Sequence, residues 1–347
     1  MVLRIFFLFL FSFLFLFCRP QTLGGNSVFN FLRLPGSPLA TGMGGINISN
    51  PMPDVGMVSE NPALLRKEMH AQLSTGFQTG LSGLNSYALA AAIHNKKNNT
   101  RFAGGIHYID YGKLTQTDAS GNELGFFRPH DWVLHITAAK TYLSRWNYGL
   151  TFKFIRSSYG VYQASGLAAD VGLQYLDTSR GWSVAVVAKN MGTMLQTYTG
   201  SAADDLPFDL QLGFTKRLIN APFAFSVTAH HLHRLALGYK DIAYNNELGW
   251  NTTSAGSRWS LDNFFRHLVF ASHIYAGPYI TADVGFNYLR RRELQTGQGG
   301  NGLTGFSMGV SLQTRRFSLR YARTQFQKSA AMNQFGLTLA MNRLEGW

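Results

Sequence analysis

Three histidines, His230, His231 and His233, stand close together and are the residues best suited to hold a transition metal. Imidazole is the commonest protein ligand for such ions. On an extended strand, however, His231 and His233 would share one face while His230 would point to the other. No carboxylate lies close to them in the sequence. We therefore predict interior or interfacial histidines and no metal site.

The sequence lacks the motifs of the common enzyme classes. Acylation by a serine nucleophile needs Ser-x-x-Lys, and the nearest match, Thr137-Ala138-Ala139-Lys140, has no serine. No glycine-rich phosphate loop, His-Glu-x-x-His zinc motif or Gly-x-Ser-x-Gly nucleophile motif occurs. We therefore predict that the chain is not an enzyme and binds no cofactor.

Charged side chains are scarce, and we expect a structural role for those in the alternating part of the chain. Only 14% of residues are charged, against about 25% in an average soluble domain. Aspartates in segments whose other positions are apolar should face a polar interior and pair with basic residues there. This ladder, rather than acid/base catalysis, should account for Asp110, Asp131, Asp170, Asp209, Asp283, Lys153, Arg156 and Arg320.

The first residues predict export from the cytoplasm. Arg4 is followed by an apolar run from Ile5 to Phe17 that only Ser12 interrupts. This run is shorter than the roughly 20 residues of a membrane-spanning helix, and its layout is that of a secretory signal peptide. We assign residues 1–20 to the signal. Because the only cysteine, Cys18, lies within it, the mature chain should have no disulfide and no thiolate metal site.

Apolar residues recur at every second position from about residue 70 to the end, which is the period of a strand with two different faces. In one segment Tyr148, Leu150 and Phe152 alternate with Asn147 and Thr151. We predict fourteen such strands, near 70–81, 85–94, 100–112, 129–143, 145–158, 162–176, 181–191, 207–218, 222–234, 265–274, 278–290, 302–314, 316–326 and 332–343.

Strand length and connection length both favour a membrane barrel. A tilted strand crosses the hydrocarbon with about 9–11 residues, whereas strands of soluble proteins average about 5–6. Tight turns alternate with connections that include the long segments 113–128, 192–206 and 235–264. We therefore predict an all-β fold, a transmembrane outer-membrane barrel of about 14 antiparallel strands over residues 69–347, with both chain ends periplasmic.

Residues 21–68 do not alternate and are rich in Gly, Ser, Asn and Pro. Irregular backbone cannot face lipid, because its polar groups would lack hydrogen-bond partners there. We therefore predict that this segment forms an N-terminal hatch inside the barrel.

The order Gly42-Met43-Gly44-Gly45-Ile46-Asn47, then Asp54, then Asn61-Pro62-Ala63-Leu64-Leu65, resembles the N-terminal hatch of the FadL-like barrels. This resemblance implies a fourteen-stranded barrel. It also implies a hatch motif made of Gly44, Gly45, Asp54, Asn61, Pro62 and Ala63.

Further segments extend a resemblance over essentially the whole mature chain. They are Gly24-Gly25-Asn26-Ser27-Val28-Phe29-Asn30-Phe31-Leu32 with Leu34-Pro35, Ala229-His230-His231-Leu232, Phe265-Arg266-His267-Leu268, and Gly285-Phe286-Asn287-Tyr288 with Arg290-Arg291-Arg292-Glu293-Leu294. Together they resemble the PorQ family, FadL-related barrels of the type IX secretion system. The resemblance implies a component of the attachment complex that joins secreted cargo to lipopolysaccharide. Its implied partners are a PorZ-like surface protein and the PorU/PorV complex.

The fold leaves an alternative function open, a FadL-type channel for hydrophobic small molecules. Such a channel should have a hydrophobic pocket that converges on the hatch, and a gap in the barrel wall. The interior positions of the predicted strands are rich in Gly, Thr, Asn, Gln and Asp, which argues against a channel.

Two exposed regions are predicted to bind a partner. The connection 235–264 carries Tyr239, Tyr244, Trp250 and Trp259, and aromatic side chains most often anchor interfaces; these four could instead pack into the barrel mouth. The run Arg290, Arg291 and Arg292 should end a strand on the outer side, where it could meet lipopolysaccharide phosphates or form an ordinary interfacial cluster. The net charge of +13 fits an anionic neighbour or simply a solvated surface.

Overall fold

A computed structural model describes residues 27–81, 83–200, 204–234, 237, 260–294, 302–326 and 330–343. The predicted signal peptide lies outside these residues, as do Tyr239, Tyr244, Trp250 and Trp259. Within the described part of the chain, no helix combines the length and the apolar character needed to span a bilayer.

Fourteen antiparallel strands form one closed barrel, as the sequence predicts. The first strand pairs with the last, from Gln72 opposite Ala340 to Thr79 opposite Asn333, and this pairing closes the sheet. The barrel strands are β1 (Gln72–Leu81), β2 (Leu84–Asn95), β3 (Thr100–Asp110), β6 (His130–Tyr142), β7 (Trp146–Tyr159), β8 (Tyr162–Asp177), β9 (Trp182–Gln196), β10 (Asp209–Arg217), β11 (Phe223–Ala229), β12 (Leu268–Ala276), β13 (Ile280–Asn287), β14 (Phe306–Gln313), β15 (Phe317–Gln325) and β16 (Ala331–Ala340).

The alternation of side chains follows the sequence pattern. In β7, Tyr148 and Phe152 are exposed on the outer wall, whereas Asn147, Thr151 and Lys153 are buried in the lumen. The outer wall thus carries the apolar residues that a hydrocarbon environment favours.

The two ends of the barrel differ. We call the end that carries the long connections the loop end; its β3–β6 connection contains a hairpin of β4 (Leu114–Thr117) and β5 (Glu123–Phe127). The other end, where β1 begins and β16 ends, is called the turn end. The described part of the hatch starts at the loop end, where Ser27 forms a bridge with Asp205. The strand pattern could not predict this position.

Two strands near the loop end are shorter than predicted. β11 ends at Ala229 rather than near residue 234, and His231 adopts a positive φ of 55°. A short helix, α2 (Leu261–Arg266), precedes β12, and β13 ends at Asn287 and continues as the short helix α3 (Tyr288–Leu294). The strand alternation expected for His230, His231 and His233, and the strand position expected for Arg290–Arg292, are therefore wrong.

The hatch fills the lumen, as predicted. It contains a short helix, α1 (Pro38–Gly42), and 3-10 turns at Asn30–Arg33, Val55–Ser59, Pro62–Leu64 and Lys67–Met69. Ser37 caps α1 by accepting a hydrogen bond from the Leu39 backbone N–H. Nearly all side chains from Leu39 to Leu65 are buried or half-buried, so the hatch is packed on all sides by the barrel wall.

Glycines on the lumen face of the strands make room for the hatch. A Cβ at Gly172 would lie 2.0 Å from Asn61 Oδ1, and a Cβ at Gly285 would lie 2.1 Å from the Gly44 backbone nitrogen. Real Cβ atoms essentially never approach non-bonded heavy atoms this closely. Gly172 and Gly285 therefore make room for Asn61 and Gly44 of the hatch.

Candidate functional site

The lumen near the loop end has an apolar lining. Ile109, Val133 and Ile155 project inward from β3, β6 and β7 and pack against Phe29 and Phe31 of the hatch. The expectation of a polar lumen is therefore wrong for this layer. The reason is that each of these strands carries its interior apolar residues close to one end, where a count over whole strands hides them.

An aromatic pocket of about 470 Å³ opens above this layer, and we call it the mouth pocket. Its floor is the hatch segment Ser27–Phe31, and its walls come from the loop ends of β6, β7 and β8 and from the connections that follow β3 and β9. Phe29 packs against Tyr198 with ring centroids 6.5 Å apart, and Tyr159 lies 5.7 Å from Tyr111. The lining residues are Ser27, Val28, Phe29, Asn30, Phe31, Tyr111, Asp131, Tyr159, Tyr162, Tyr198 and Thr199.

A buried carboxylate organises the tyrosines of this pocket. Tyr111 donates a hydrogen bond of 2.5 Å to Asp131 Oδ2, and Tyr159 donates one of 3.1 Å to the same oxygen. Ser157 donates to Asp131 Oδ1 and accepts a 2.5 Å hydrogen bond from the Tyr198 hydroxyl. Burial and the hydrogen bond to Asp131 raise the pKa of Tyr111, which therefore stays protonated and remains a donor.

The chemistry of the mouth pocket follows from this network. The three tyrosine hydroxyls already donate to protein oxygens, so the pocket presents mainly ring faces and edges to a guest. Aromatic rings bind one another in offset or edge-to-face arrangements, which contribute about 0.5–1.5 kcal/mol per pair beyond area burial. The pocket is thus suited to a small apolar molecule, above all one with an aromatic ring.

A second cavity of about 50 Å³ lies deeper, between the hatch and the wall. On β6, Asp131 lines the mouth pocket, and the next lumen-facing residue, Val133, lines this deeper cavity. On the hatch side the cavity borders Leu32. Its wall includes Gly76 and Ala88, which also border a groove of about 930 Å³ on the apolar outer surface. Gly76 pairs with Ala88 in an unbroken register from Gln72 to Thr79, so this stretch of wall has no gap.

Below the apolar layer the lumen is polar and ionic, as the sequence predicts. Lys153 Nζ lies 2.6 Å from Asp170 Oδ2, and Lys189 Nζ lies 3.1 Å from Glu60 Oε2 of the hatch. Arg320 pairs with Asp54 of the hatch rather than with a strand aspartate. The ladder therefore ties the hatch to the wall.

Two members of the expected ladder lie elsewhere. Asp110 lies on the same outward face of β3 as Tyr108 and accepts a hydrogen bond from the Gly112 backbone N–H. Arg156 donates to Gln163 at an exposed position. Both stand at strand ends, where the alternation no longer separates lumen from lipid.

The hatch motif residues have structural roles. Gly44 and Gly45 have φ values of 92° and 89°, a region that L-residues rarely adopt. Asp54 caps the turn Val55–Ser59 by accepting from the Gly56 N–H at 3.0 Å. Asn61 accepts from the Ala63 N–H and donates to the Ile48 carbonyl, both at 2.9 Å.

Pro62 and Ala63 complete the motif. Pro62 occupies the first position of its 3-10 turn, where the missing N–H is tolerated, and the following Ala63 is fully buried. All six motif residues therefore shape the hatch and do not line the mouth pocket.

The three consecutive arginines point in different directions because they lie on helix α3, where neighbouring side chains are about 100° apart. Arg290 is half-buried, beside Gly45 and over the Phe326 ring at 5.0 Å, and desolvation of its guanidinium lowers its pKa to about 10. Arg291 and Arg292 point outward, and Arg292 Nε lies 2.9 Å from Asp262 Oδ1. Arg290 is thus not available to the predicted partner surface.

The histidines lie at the loop end beside a carboxylate. Asp209, at the start of β10, accepts a 2.6 Å hydrogen bond from the His231 backbone N–H. The side chains of Asp209, His230 and His231 each offer a ligand atom within 4.8 Å of the others. The sequence argument missed this arrangement, because the carboxylate comes from the neighbouring strand.

The mouth pocket was also missed from the sequence. Of its lining, only Asp131 was singled out, and as part of the ladder. The available signal was weak: Tyr159 ends β7 and Tyr111 directly follows β3, at the level where aromatic residues commonly mark the membrane interface.

Comparisons with known proteins agree on the fold. No protein-family model and no curated protein matches the chain. Among solved structures, the toluene transporter TbuX of Ralstonia pickettii is similar, with a TM-score of 0.52 and 13% identity over 90% of this chain and 98% of that one. A deltaS2 mutant of the monoaromatic hydrocarbon channel TodX gives a TM-score of 0.52 and 13% identity, covering 88% of this chain and 98% of that one. A FadL homologue from Pseudomonas aeruginosa is less similar, with a TM-score of 0.44 and 10% identity over 88% and 97% of the chains. The chain therefore shares its fold with TbuX and TodX.

Proposed function

We propose that the chain is an outer-membrane channel that takes up small hydrophobic molecules through the mouth pocket. The observation that carries this proposal is the aromatic pocket of about 470 Å³ whose floor is the hatch. It meets the first requirement for a channel, a hydrophobic pocket that converges on the hatch. TbuX and TodX, described as a toluene transporter and a monoaromatic hydrocarbon channel, lend the substrate class. The loop end would face outward, and the turn end, where β1 begins and β16 ends, would face the periplasm.

In this proposal the apolar layer receives the molecule and the hatch controls its passage. A guest would lie against Phe29 and Tyr198 and then meet Phe31 and Leu32, which separate the mouth pocket from the deeper cavity. The deeper cavity, at about 50 Å³, is too small to hold toluene. Passage would therefore require the hatch to move.

The test is uptake of radiolabelled toluene by a host that lacks hydrocarbon channels. We expect expression of the chain to increase the initial rate. Phe29→Ala and Tyr198→Ala should each reduce this rate several-fold, because each removes a ring contact worth about 1 kcal/mol. Phe152→Ala is the matched control, since Phe152 faces outward and is 63% exposed. Equal rates for all three variants would refute the role of the pocket.

A second candidate is a non-enzymatic component of the type IX secretion system. The ordered sequence resemblance to the PorQ family favours it, and the half-buried Arg291 and the exposed Arg292 would offer a basic edge to lipopolysaccharide phosphates. In this function the barrel would anchor a PorZ-like surface protein or the PorU/PorV complex. The loop 235–264 and this edge would form the contact surface.

Deleting the gene separates the two functions. The channel proposal expects lost toluene uptake and normal surface attachment of secreted cargo. The secretion proposal expects cargo released into the medium and unchanged uptake. Affinity purification from membranes then identifies any protein that the barrel retains.

A further inference from the structure

We propose that Asp209, His230 and His231 form a binding site for a divalent transition-metal ion such as Zn²⁺. The three residues lie at the loop end, beyond the mouth pocket, and the proposal does not depend on the channel function. One carboxylate and two imidazoles are a donor set that Zn²⁺ takes readily, with positions left for water.

The backbone brings the three side chains together. β10 and β11 are paired, with Leu212 opposite Ala229, so the chain leaving β11 runs alongside the start of β10. Two backbone hydrogen bonds continue this pairing: His230 N–H donates to the His267 carbonyl at 2.9 Å, and Leu232 N–H donates to the Leu210 carbonyl at 3.0 Å. His231 lies between them with its φ of 55°, which turns it toward Asp209.

The ligand atoms converge on one point. The Nδ1 atoms of His230 and His231 are in contact, and His231 Nδ1 lies 3.9 Å from Asp209 Oδ2. Gln211 holds the same carboxylate oxygen through a 2.7 Å hydrogen bond from its Nε2. A carboxylate oxygen has two lone pairs, so one remains for an ion.

Unused nitrogen atoms give an independent reason for a ligand here. His230 is 1% exposed, yet its Nε2 has no hydrogen-bond partner among the described residues. His233 Nδ1, which lies 4.0 Å from Asp209 Oδ1, is likewise buried without a hydrogen bond. Buried polar atoms in native proteins are almost always satisfied. An ion held by Asp209 would give His233 Nδ1 the partner that it lacks, and His233 would become a fourth ligand after a small side-chain rotation.

The surrounding charges act in both directions. Arg33 and Arg234 lie close to His231. The same guanidiniums repel a divalent ion, and Asp209 opposes them. We therefore expect weaker binding than at a structural four-ligand zinc site.

The experiment is calorimetric titration of Zn²⁺ into the untagged, detergent-folded chain after removal of metal with a chelator. We expect one equivalent to bind. His231→Asn and Asp209→Asn should each lower the affinity at least tenfold, while each variant keeps the heat-modifiable migration of a folded barrel. His94→Asn is the control, because His94 and His70 form another histidine pair, at the turn end, with ring centroids 6.5 Å apart. This variant should bind as the unmodified chain does.

A second measurement covers the case in which a variant does not fold. Co²⁺ added to the unmodified chain should give the intense visible absorption of a four- or five-coordinate ion, and Zn²⁺ should displace it. The proposal is overturned if Zn²⁺ does not bind, if both variants bind it as tightly as the unmodified chain, or if bound Co²⁺ keeps the weak spectrum of the hydrated ion. The last two results would indicate adventitious binding by surface histidines.

Discussion

Replacing Asp54 by asparagine tests whether buried charge holds the hatch in the barrel. Asp54 Oδ2 lies 3.2 Å from Arg320 Nη1, and the two side chains are 1% and 3% exposed. Asp54 also accepts a hydrogen bond from Ser37 Oγ at 3.1 Å. Asparagine preserves the shape but leaves the Arg320 charge buried and unpaired, which costs about 3–5 kcal/mol. The population with a released hatch should therefore rise roughly a hundredfold to several thousandfold.

Asp262→Asn is the matched control for this change. Arg292 Nε lies 2.9 Å from Asp262 Oδ1, which is as close as the hatch pair, but here the side chains are 42% and 35% exposed. Solvent screens such a pair, so its loss should cost less than about 1 kcal/mol. Comparing the two variants isolates the effect of burial from that of distance.

The assay is limited proteolysis of the detergent-folded barrel at increasing urea concentration, followed by identification of the cleaved bonds. Asp54→Asn should expose the hatch to cleavage at a lower urea concentration than Asp262→Asn. Adding Arg320→Met to Asp54→Asn should restore most of the protection, because it removes the unpaired charge. If the two single variants are cleaved alike, or if the double variant is no better protected, then the buried pair does not hold the hatch.

Two further predictions concern packing and partner binding. Gly172→Ala should release the hatch, because the new Cβ would displace the Asn61 side chain. Gly104→Ala is the control and should have no effect, since the nearest atom to its Cβ would lie at an ordinary 3.7 Å. Single-channel conductance in planar bilayers measures hatch release in both variants, and equal conductance would contradict the contact between Gly172 and Asn61. Replacing residues 240–258 by a Gly-Ser bridge should abolish co-purification of a partner while the barrel stays folded; full retention of the partner would move the contact surface to 113–128, 192–206 or the Arg291–Arg292 edge.

The strands could be predicted from the sequence because each has one lipid-facing side. A shift by a single residue would place Tyr148, Leu150 and Phe152 in the lumen and Lys153 in hydrocarbon, so the pattern fixes the register. This constraint vanishes where a strand leaves the membrane. β13 ends at Asn287 and β11 ends at Ala229, and there the prediction extended too far.

The two sites could not be predicted because contacts between distant segments form them. The mouth pocket combines the hatch, three strand ends and two connections, from Phe29 to Tyr198. The carboxylate of the histidine cluster is Asp209, a full hairpin away from His230. A periodic pattern specifies which side of a strand a residue occupies, but it does not specify which residues of other strands stand beside it.

In the proposed channel, the layering of the lumen makes the hatch the barrier to transport. An apolar molecule gains by entering the mouth pocket, since ring faces replace water around it. Going further brings it against Lys153, Lys189 and Glu60, whose ion pairs and hydrogen bonds an apolar guest cannot replace. Breaking a buried pair by removing one partner costs several kcal/mol, more than a small hydrocarbon gains from a few ring contacts. Transport through the proposed channel would therefore require the hatch to shift with its ion pairs intact or re-formed. Variants that loosen the hatch should then speed toluene uptake, while variants of the mouth pocket should slow it.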